Sequence, residues 1–246
     1  ELRWQMYPYL QASWRHYPFP LWTGESLHNK SILVWCEQGL GDSLQFCRFL
    51  PELLQLTQQV ILECPPPLFR LLQANFPTIE CSMNASDRHA DYHLPLMSLP
   101  HRLGLYQPAQ LHRSAYLQTV SPARLPALQQ PSPRPRLGLI WQAGQQKRTE
   151  QGRQNADARS LSKELVNALG KRFPQFDWWN LQFDQASDTA WSWLKDASDA
   201  IADIADAAAL LEHMDAIVTV DTMMAHLAGA LGKKAWVLLH HDACWR

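Results

Sequence analysis

The stretch that decides the fold is "SILVWCEQGLGDSLQF", residues 31–46. Its apolar run at 32–36 predicts a buried strand, and a turn containing Gly39 and Gly41 follows directly. Apolar residues then recur at helical spacing, namely Leu44, Cys47, Leu50, Leu53 and Leu54. A strand, a glycine turn and a helix in this order are typical of a parallel α/β sheet, whose carboxyl edge is where such folds bind ligands.

The same alternation of strands and helices continues on both sides of a proline-rich segment. Residues 121–135 contain five prolines and show no periodic pattern, which is typical of a linker. Strands are predicted at 59–64 and 91–96 before it, and at "RLGLIW", "FDWWNLQF", "AIVTV" and "KAWVLL" after it. We therefore predict two Rossmann-like domains with parallel sheets facing a cleft, residues 1–120 and 136–246, joined by the linker 121–135.

Composition excludes several classes of protein. Of the 246 residues, 46% are hydrophobic, which is enough to build a core, and the net charge of -1 gives no basic field for nucleic acid or an anionic membrane. No apolar run approaches the ~20 residues that span a bilayer. The first residues are neither a signal peptide nor an initiator methionine, so we expect a fragment of a longer cytoplasmic protein. The five cysteines lack metal-ligand spacing, and we predict buried, reduced thiols and no metal site.

The "GLGD" turn is the first candidate site, and the residues leave its role open. Gly39 and Gly41 match two of the three glycines in the dinucleotide fingerprint, and Glu63 lies where a ribose-binding acid is expected, which favours an NAD(P)-dependent oxidoreductase weakly. Leu44 replaces the third glycine. The carboxylate of Asp42 would repel a pyrophosphate at this helix start and take backbone N–H groups for itself. Asp42 is then either an N-cap or a general base for a sugar hydroxyl.

The second candidate site follows the strand predicted at 216–220. Asp221 and Thr222 form the turn, and Thr222 can cap the next helix, whose N–H groups make an anion site. His226 shares that helix face one turn deeper, although a satisfied core histidine is the simpler alternative. An upstream loop carries four cations that are either solvated or closed over a diphosphate, namely Lys147, Arg148, Arg153 and Arg159.

Four segments in order carry a resemblance to a known family. They are "EQGLGDSLQFCRFLP" (37–51), "DYHLPLMSLP" (91–100), "LGLIWQAG" (137–144) and "VTVDTMMAHLAGALGKKAWVLL" (218–239). Together they resemble the heptosyltransferase-like, family-9 glycosyltransferase domain that follows tetratricopeptide repeats in many bacterial proteins. The resemblance spans nearly the whole chain. It implies the GT-B architecture, with the acceptor bound mainly by the first domain and a nucleotide-sugar donor mainly by the second.

The resemblance also implies residue roles. Asp42 matches the proposed catalytic base, and the adjoining loop would bind the acceptor through Glu37, Gln38, Gly39 and Gly41. The donor's diphosphate and nucleoside would be held by Asp221, Thr222 and His226, with phosphate contacts from Lys147, Arg148 and Arg159. The implied reaction is inverting sugar transfer to a glycan, lipid-linked or protein acceptor. It needs no metal and no cofactor other than the nucleotide-sugar co-substrate.

Two departures from the family pattern keep a non-enzymatic alternative open. Met223 stands where the family often has a small residue at the helix start, and it could crowd the donor phosphate. The sequence also stops soon after a predicted strand, where GT-B proteins continue with a helical segment. The alternative is a catalytically silent scaffold for polysaccharide or protein assembly, with upstream tetratricopeptide repeats as its expected partners.

Overall fold

The computed structural model describes residue 4 and residues 14–111, 115–120, 125–144, 156–182 and 191–240. The chain divides into two compact units, residues 1–116 and 117–246. No helix among the described residues is long and apolar enough to cross a membrane.

The first unit contains a parallel sheet of four strands in the order β3-β2-β1-β4. The strands are β1 (Ser31–Trp35), β2 (Gln59–Glu63), β3 (Glu80–Ser82) and β4 (Tyr92–Pro95). The helices are α1 (Leu40–Phe46), α2 (Leu50–Leu53), α3 (Pro66–Asn75), α4 (Leu99–Arg102) and α5 (Pro108–Leu111). Short 3-10 turns at Cys47–Phe49 and Leu96–Ser98 lead into α2 and α4. Prolines occupy the first turn of α3, where a missing N–H costs least.

A lead-in segment before β1 completes this sheet. The Trp22 N–H donates to the His93 carbonyl at 2.9 Å, and the His93 N–H donates to the Pro20 carbonyl at 3.0 Å, so residues 20–22 lie along β4. Aromatic side chains of the lead-in pack with Leu33 and Trp35 of β1 in one buried cluster, whose lead-in members are Trp4, Trp14, Tyr17 and Phe19. The lead-in is therefore part of the core of this unit.

The second unit contains a parallel sheet of five strands in the order β7-β6-β5-β8-β9. The strands are β5 (Arg136–Ile140), β6 (Asp177–Asn180), β7 (Leu194–Asp196), β8 (Ala216–Val220) and β9 (Ala235–Leu238). The helices are α6 (Pro126–Gln129), α7 (Lys163–Arg172), α8 (Ile204–Glu212) and α9 (Met223–Ala230), and residues 156–159 are also helical.

Side chains from one face of β5 form part of the core of this unit, because every second side chain of a strand points to the same face. Leu137, Leu139 and Trp141 pack together with Val166 of α7. Helix α9 ends at Ala230, and after its C-cap Leu231 comes Gly232, whose φ of 70° is the left-handed conformation that glycine adopts without steric cost. The Lys233 N–H then donates to the Ala228 carbonyl at 2.8 Å and closes the helix end.

The predicted α/β class with two parallel-sheet domains is confirmed. The strands read from apolar runs are all present, each within two or three residues of its predicted bounds. Strands β3 and β7 were not predicted, because three residues are too few to show an alternating pattern. Helix α6 lies inside the segment predicted as a linker, whose residues 121–124 are outside the described part of the chain.

Candidate functional site

The loop between β1 and α1 is held to the loop after β4. The Oε1 atom of Glu37 accepts the backbone N–H of Met97 at 3.2 Å, and Glu37 is buried. Gln38 adopts a φ of 64°, an uncommon conformation for a residue other than glycine, and it turns the chain towards the helix. Two neighbouring strands therefore present their connecting loops together at the carboxyl edge of the first sheet.

Asp42 lies inside the first turn of α1. Its Oδ2 atom accepts the backbone N–H of Gly39 at 3.0 Å, and the residue is only 1% exposed. The prediction that the carboxylate takes a backbone N–H is confirmed, but the prediction that Asp42 is the N-cap is wrong. The N-cap is Gly39, and Asp42 reaches back to it from the third helical position. A Cβ at Gly39 would lie 3.2 Å from that carboxylate oxygen, so the absence of a side chain at Gly39 suits this bond.

Glu63, the acid of the oxidoreductase hypothesis, forms hydrogen bonds and an ion pair within the first unit. Its Oε2 atom accepts the hydroxyl of Tyr17 at 2.9 Å and the N–H of Ala85 at 3.1 Å. Its other oxygen pairs with the guanidinium of Arg15. The acid on which that hypothesis depends therefore anchors the lead-in to the end of β2.

The second candidate site lies where β8 ends and α9 begins. Thr222 is the N-cap of α9, and its hydroxyl accepts the Met224 N–H at 3.3 Å, so the predicted cap is confirmed. The hydroxyls of Thr219 and Thr222 are 3.2 Å apart. His226 is the fourth residue of α9 and is half-buried, one turn inside the cap.

The structure brings Arg159 to this helix start. Its Nη1 atom donates to the carbonyl of Asp221 at 3.0 Å and lies 3.8 Å from the Oδ2 atom of the same residue. One of the four predicted loop cations is thereby located beside the second candidate site. The other three, Lys147, Arg148 and Arg153, lie outside the described residues.

Two polar residues that the sequence did not single out hold the loop after β5. The buried side-chain oxygen of Gln182 accepts the N–H groups of Trp141 at 2.8 Å and Gln142 at 3.1 Å. The hydroxyl of Ser160 accepts the Ala143 N–H at 3.0 Å. The role of Gln182 could have been inferred from the sequence. Asn180 and Gln182 are polar residues within the apolar run "WWNLQF", and buried polar side chains need hydrogen-bond partners.

The prediction of buried thiols is confirmed for the four cysteines that the structure describes. Cys36, Cys47, Cys64 and Cys81 are buried and free, while Cys244 lies outside the described residues. Burial raises the pKa of the Cys36 thiol to about 12, so it stays protonated at neutral pH. Among the described residues, no three or more His, Cys, Asp or Glu side chains form a group that could hold a metal ion.

No protein-family model matches the chain. A curated relative is the protein FlbA of Caulobacter vibrioides, which is 26% identical over 250 residues. That similarity covers 88% of this chain but 40% of FlbA, so the chain spans less than half the length of this relative.

Solved heptosyltransferases resemble the chain in structure. The iron-containing, dodecameric glycosyltransferase TibC of enterotoxigenic E. coli H10407 matches with a TM-score of 0.60 at 12% identity, over 86% of this chain and 59% of TibC. TibC is also known in complex with ADP-D-β-D-heptose. The E. coli ADP-heptose LPS heptosyltransferase II matches with a TM-score of 0.57 at 15% identity, over 84% of each chain. At these identities the likeness establishes the fold, which agrees with the GT-B architecture that the sequence resemblance implied.

Proposed function

We propose that this chain, which has the fold of heptosyltransferases, transfers a sugar from a nucleotide-sugar donor to an acceptor hydroxyl. The observation that carries the proposal is the position of Arg159 against Asp221, beside the Thr222-capped start of α9. That position is the carboxyl end of β8, where ligands bind in open parallel sheets.

The second unit is the proposed donor site because the guanidinium of Arg159 lies beside a helix start there and offsets the carboxylate of Asp221, which is 3.8 Å away. A helix start carries partial positive charge and unbonded N–H groups, and a guanidinium complements phosphate oxygens with paired N–H donors. Arg159 supplies the guanidinium and the start of α9 supplies the partial positive charge, although the Met224 N–H is already bonded to Thr222. His226 lies one turn further into α9, and we assign to it a contact with the nucleoside or the phosphate. We assign further phosphate contacts to Lys147 and Arg148.

The first unit is the proposed acceptor site. Glu37, Gln38, Gly39 and Gly41 would position the acceptor, and Asp42 would take the proton of its hydroxyl. The hydroxyl oxygen forms the new bond to the anomeric carbon as the sugar–phosphate bond breaks, and the nucleoside diphosphate leaves with that electron pair. Arg159 and the helix start would stabilise the charge on the leaving diphosphate. The transfer would invert the anomeric centre and require no metal.

A catalytically silent scaffold is the second candidate, and one observation favours it. Asp42 is almost fully buried and bonded to Gly39, as expected of a side chain that stabilises a helix start. For either function we propose a cytoplasmic protein with tetratricopeptide repeats upstream, acting on a glycan, lipid-linked or protein partner.

The donor proposal is tested by thermal-shift and calorimetric screening with UDP-, GDP- and ADP-sugars and with NAD(P)H. We expect stabilisation by at least one nucleotide sugar and about a tenfold loss of its affinity in Arg159→Ala, the size expected for one hydrogen bond to a charged group. The matched control is Arg134→Ala, because Arg134 also donates from Nη1 to a backbone carbonyl, that of Pro174, at 2.9 Å.

Three other results would contradict part of this proposal. Stabilisation by NAD(P)H alone would contradict the transferase. A wild type that binds no nucleotide at all would favour the scaffold. Equal losses of affinity in both arginine variants would show that Arg159 has no specific part in binding the donor.

A further inference from the structure

The indole N–H of Trp141, in the second unit, is a buried donor without a hydrogen-bond partner among the described residues. Trp141 is the first residue after β5 and is 2% exposed, and its indole N–H is sealed from solvent. Indole N–H groups usually find a partner when they are buried, and a buried donor without one destabilises the fold. The unbonded indole N–H of Trp141 therefore needs a physical explanation.

Two neighbouring tryptophans do form hydrogen bonds through their indole N–H groups. The Trp178 N–H donates to the Phe173 carbonyl at 3.1 Å, and the Trp193 N–H donates to the side-chain oxygen of Asn167 at 3.2 Å. Trp178 belongs to the same buried cluster as Trp141 and is equally buried, at 2% exposure. Of the two buried indoles of this cluster, Trp141 and Trp178, only that of Trp141 is without a partner among the described residues.

Trp141 is also the tryptophan of this cluster that lies at the carboxyl edge of the central strand. Its carbonyl accepts the Leu161 N–H at 2.8 Å, and its own N–H is held by Gln182. Leu161 comes two residues after Arg159, which contacts Asp221. The backbone of Trp141 is therefore tied to the short segment that carries the proposed phosphate contact.

A flat aromatic surface lies beside this indole. The rings of Trp141 and Trp191 are 5.9 Å apart between centroids, and Trp191 stacks on Trp193 at 5.4 Å with an interplanar angle of 11°. Both Trp191 and Trp193 are half-buried. An aromatic face together with one N–H donor suits a planar ring that carries acceptor atoms, which describes a nucleobase better than a sugar or a phosphate.

We propose that Trp141 is a specificity-determining residue that binds the nucleobase of the sugar donor. Its indole N–H donates to a ring nitrogen or carbonyl oxygen of the base, which packs against Trp191. Because the N–H is sealed from solvent, the ring of Trp191 moves to admit the base and then packs against it. The inference rests on the proposed function, since it supposes that the second unit binds a nucleotide sugar.

The test compares Trp141→Phe with Trp178→Phe by calorimetry, using the nucleoside diphosphate of the sugar donor that binds best and, separately, inorganic pyrophosphate. Trp141→Phe is expected to lower affinity for the nucleoside diphosphate about tenfold and to leave affinity for pyrophosphate unchanged, because pyrophosphate has no base. Its melting temperature should fall less than that of Trp178→Phe, since both variants lose the same buried volume but Trp141→Phe removes a donor without a partner. Trp178→Phe should melt lower, because it loses a bond, and should bind both ligands normally.

The outcomes separate this inference from the proposed function. If Trp141→Phe binds the nucleoside diphosphate as well as the wild type does, Trp141 only packs, and the donor proposal stands. Equal losses for both ligands would contradict recognition of the base, and a wild type that binds neither ligand would overturn both proposals. The indole 15N–1H resonance of Trp141 in the wild type gives an answer even if the variant does not fold. It should shift on adding the nucleoside diphosphate and not on adding pyrophosphate, and an unmoved resonance contradicts the inference.

Discussion

At the scale of single residues, Asp42 decides between a transferase and a scaffold. Its carboxylate already accepts the Gly39 N–H, and that bond alone accounts for an acid at this helix start. Asparagine keeps an oxygen that can accept the same bond but cannot take up a proton at neutral pH. Substitution by asparagine therefore separates the structural role of Asp42 from the chemical one.

We predict that Asp42→Asn lowers turnover at least about a hundredfold, as expected for the loss of a general base, while donor affinity and melting temperature change little. Product formation and donor calorimetry measure the two quantities. The companion variant Asp42→Ala also removes the bond to Gly39 and should lose about 1 kcal/mol of stability. Full turnover per folded molecule in Asp42→Asn would assign Asp42 to the helix start alone.

At the scale of elements, helix α7 shows how one glycine allows an aromatic cluster to form. Ser162 caps the helix by accepting the Leu165 N–H at 3.3 Å, and Trp193 packs against the helix at Gly170. A Cβ on Gly170 would lie 2.3 Å from the Trp193 ring, closer than real Cβ contacts come. Trp193 in turn stacks on Trp191, so this glycine supports the aromatic surface beside Trp141.

We predict that Gly170→Ala destabilises the second unit by about 1–3 kcal/mol, because the ring of Trp193 or the helix has to move. Gly229→Ala is the matched control, since Gly229 is also helical and nothing lies within 4 Å of its Cβ position. That variant should gain roughly 0.5 kcal/mol from the better helix propensity of alanine. Urea denaturation measures both, and equal stabilities of the two variants would contradict the packing argument.

At the scale of the whole molecule, two units with separate cores are not expected to unfold as one two-state system. Their responses to pH should differ, because the first unit contains the buried His93. Burial lowers the pKa of His93, and the nearby charge of His16 lowers it further. The neutral ring accepts the indole N–H of Trp35 at Nδ1, 3.3 Å away, and a protonated ring would lose that bond.

The sign of the effect follows from the lowered pKa. The unfolded chain takes up a proton at His93 near pH 6.5, whereas the folded unit does so only at lower pH. The stability from neutral His93 is therefore present above about pH 6.5 and is lost as pH falls towards the pKa of the folded state. We predict faster amide exchange in β1 and β4 at pH 5.5 than at pH 7, after correction for intrinsic rates. His93→Gln should show less of this pH dependence, and an unchanged dependence would exclude His93 as its source.

Local patterns in the sequence determined most of the strands and one cap. Apolar runs marked β1, β2, β4, β5, β6 and β8 because burial of a parallel strand requires consecutive apolar residues. An apolar run also marked β9, although its four residues are exposed. Thr222 was identified as a cap because its hydroxyl bonds an N–H only two residues away. Such signals lie within a few residues of each other, so the sequence alone contains them.

The tertiary structure decided which polar groups meet. Arg159 and Asp221 are 62 positions apart, and Tyr17 and Glu63 are 46 apart, so their contacts depend on how strands align and not on any local pattern. The same holds for Gln182, which holds the backbone of Trp141 from 41 positions away. The unbonded indole of Trp141 is likewise a property of the packed core, because only packing decides whether a buried donor finds an acceptor.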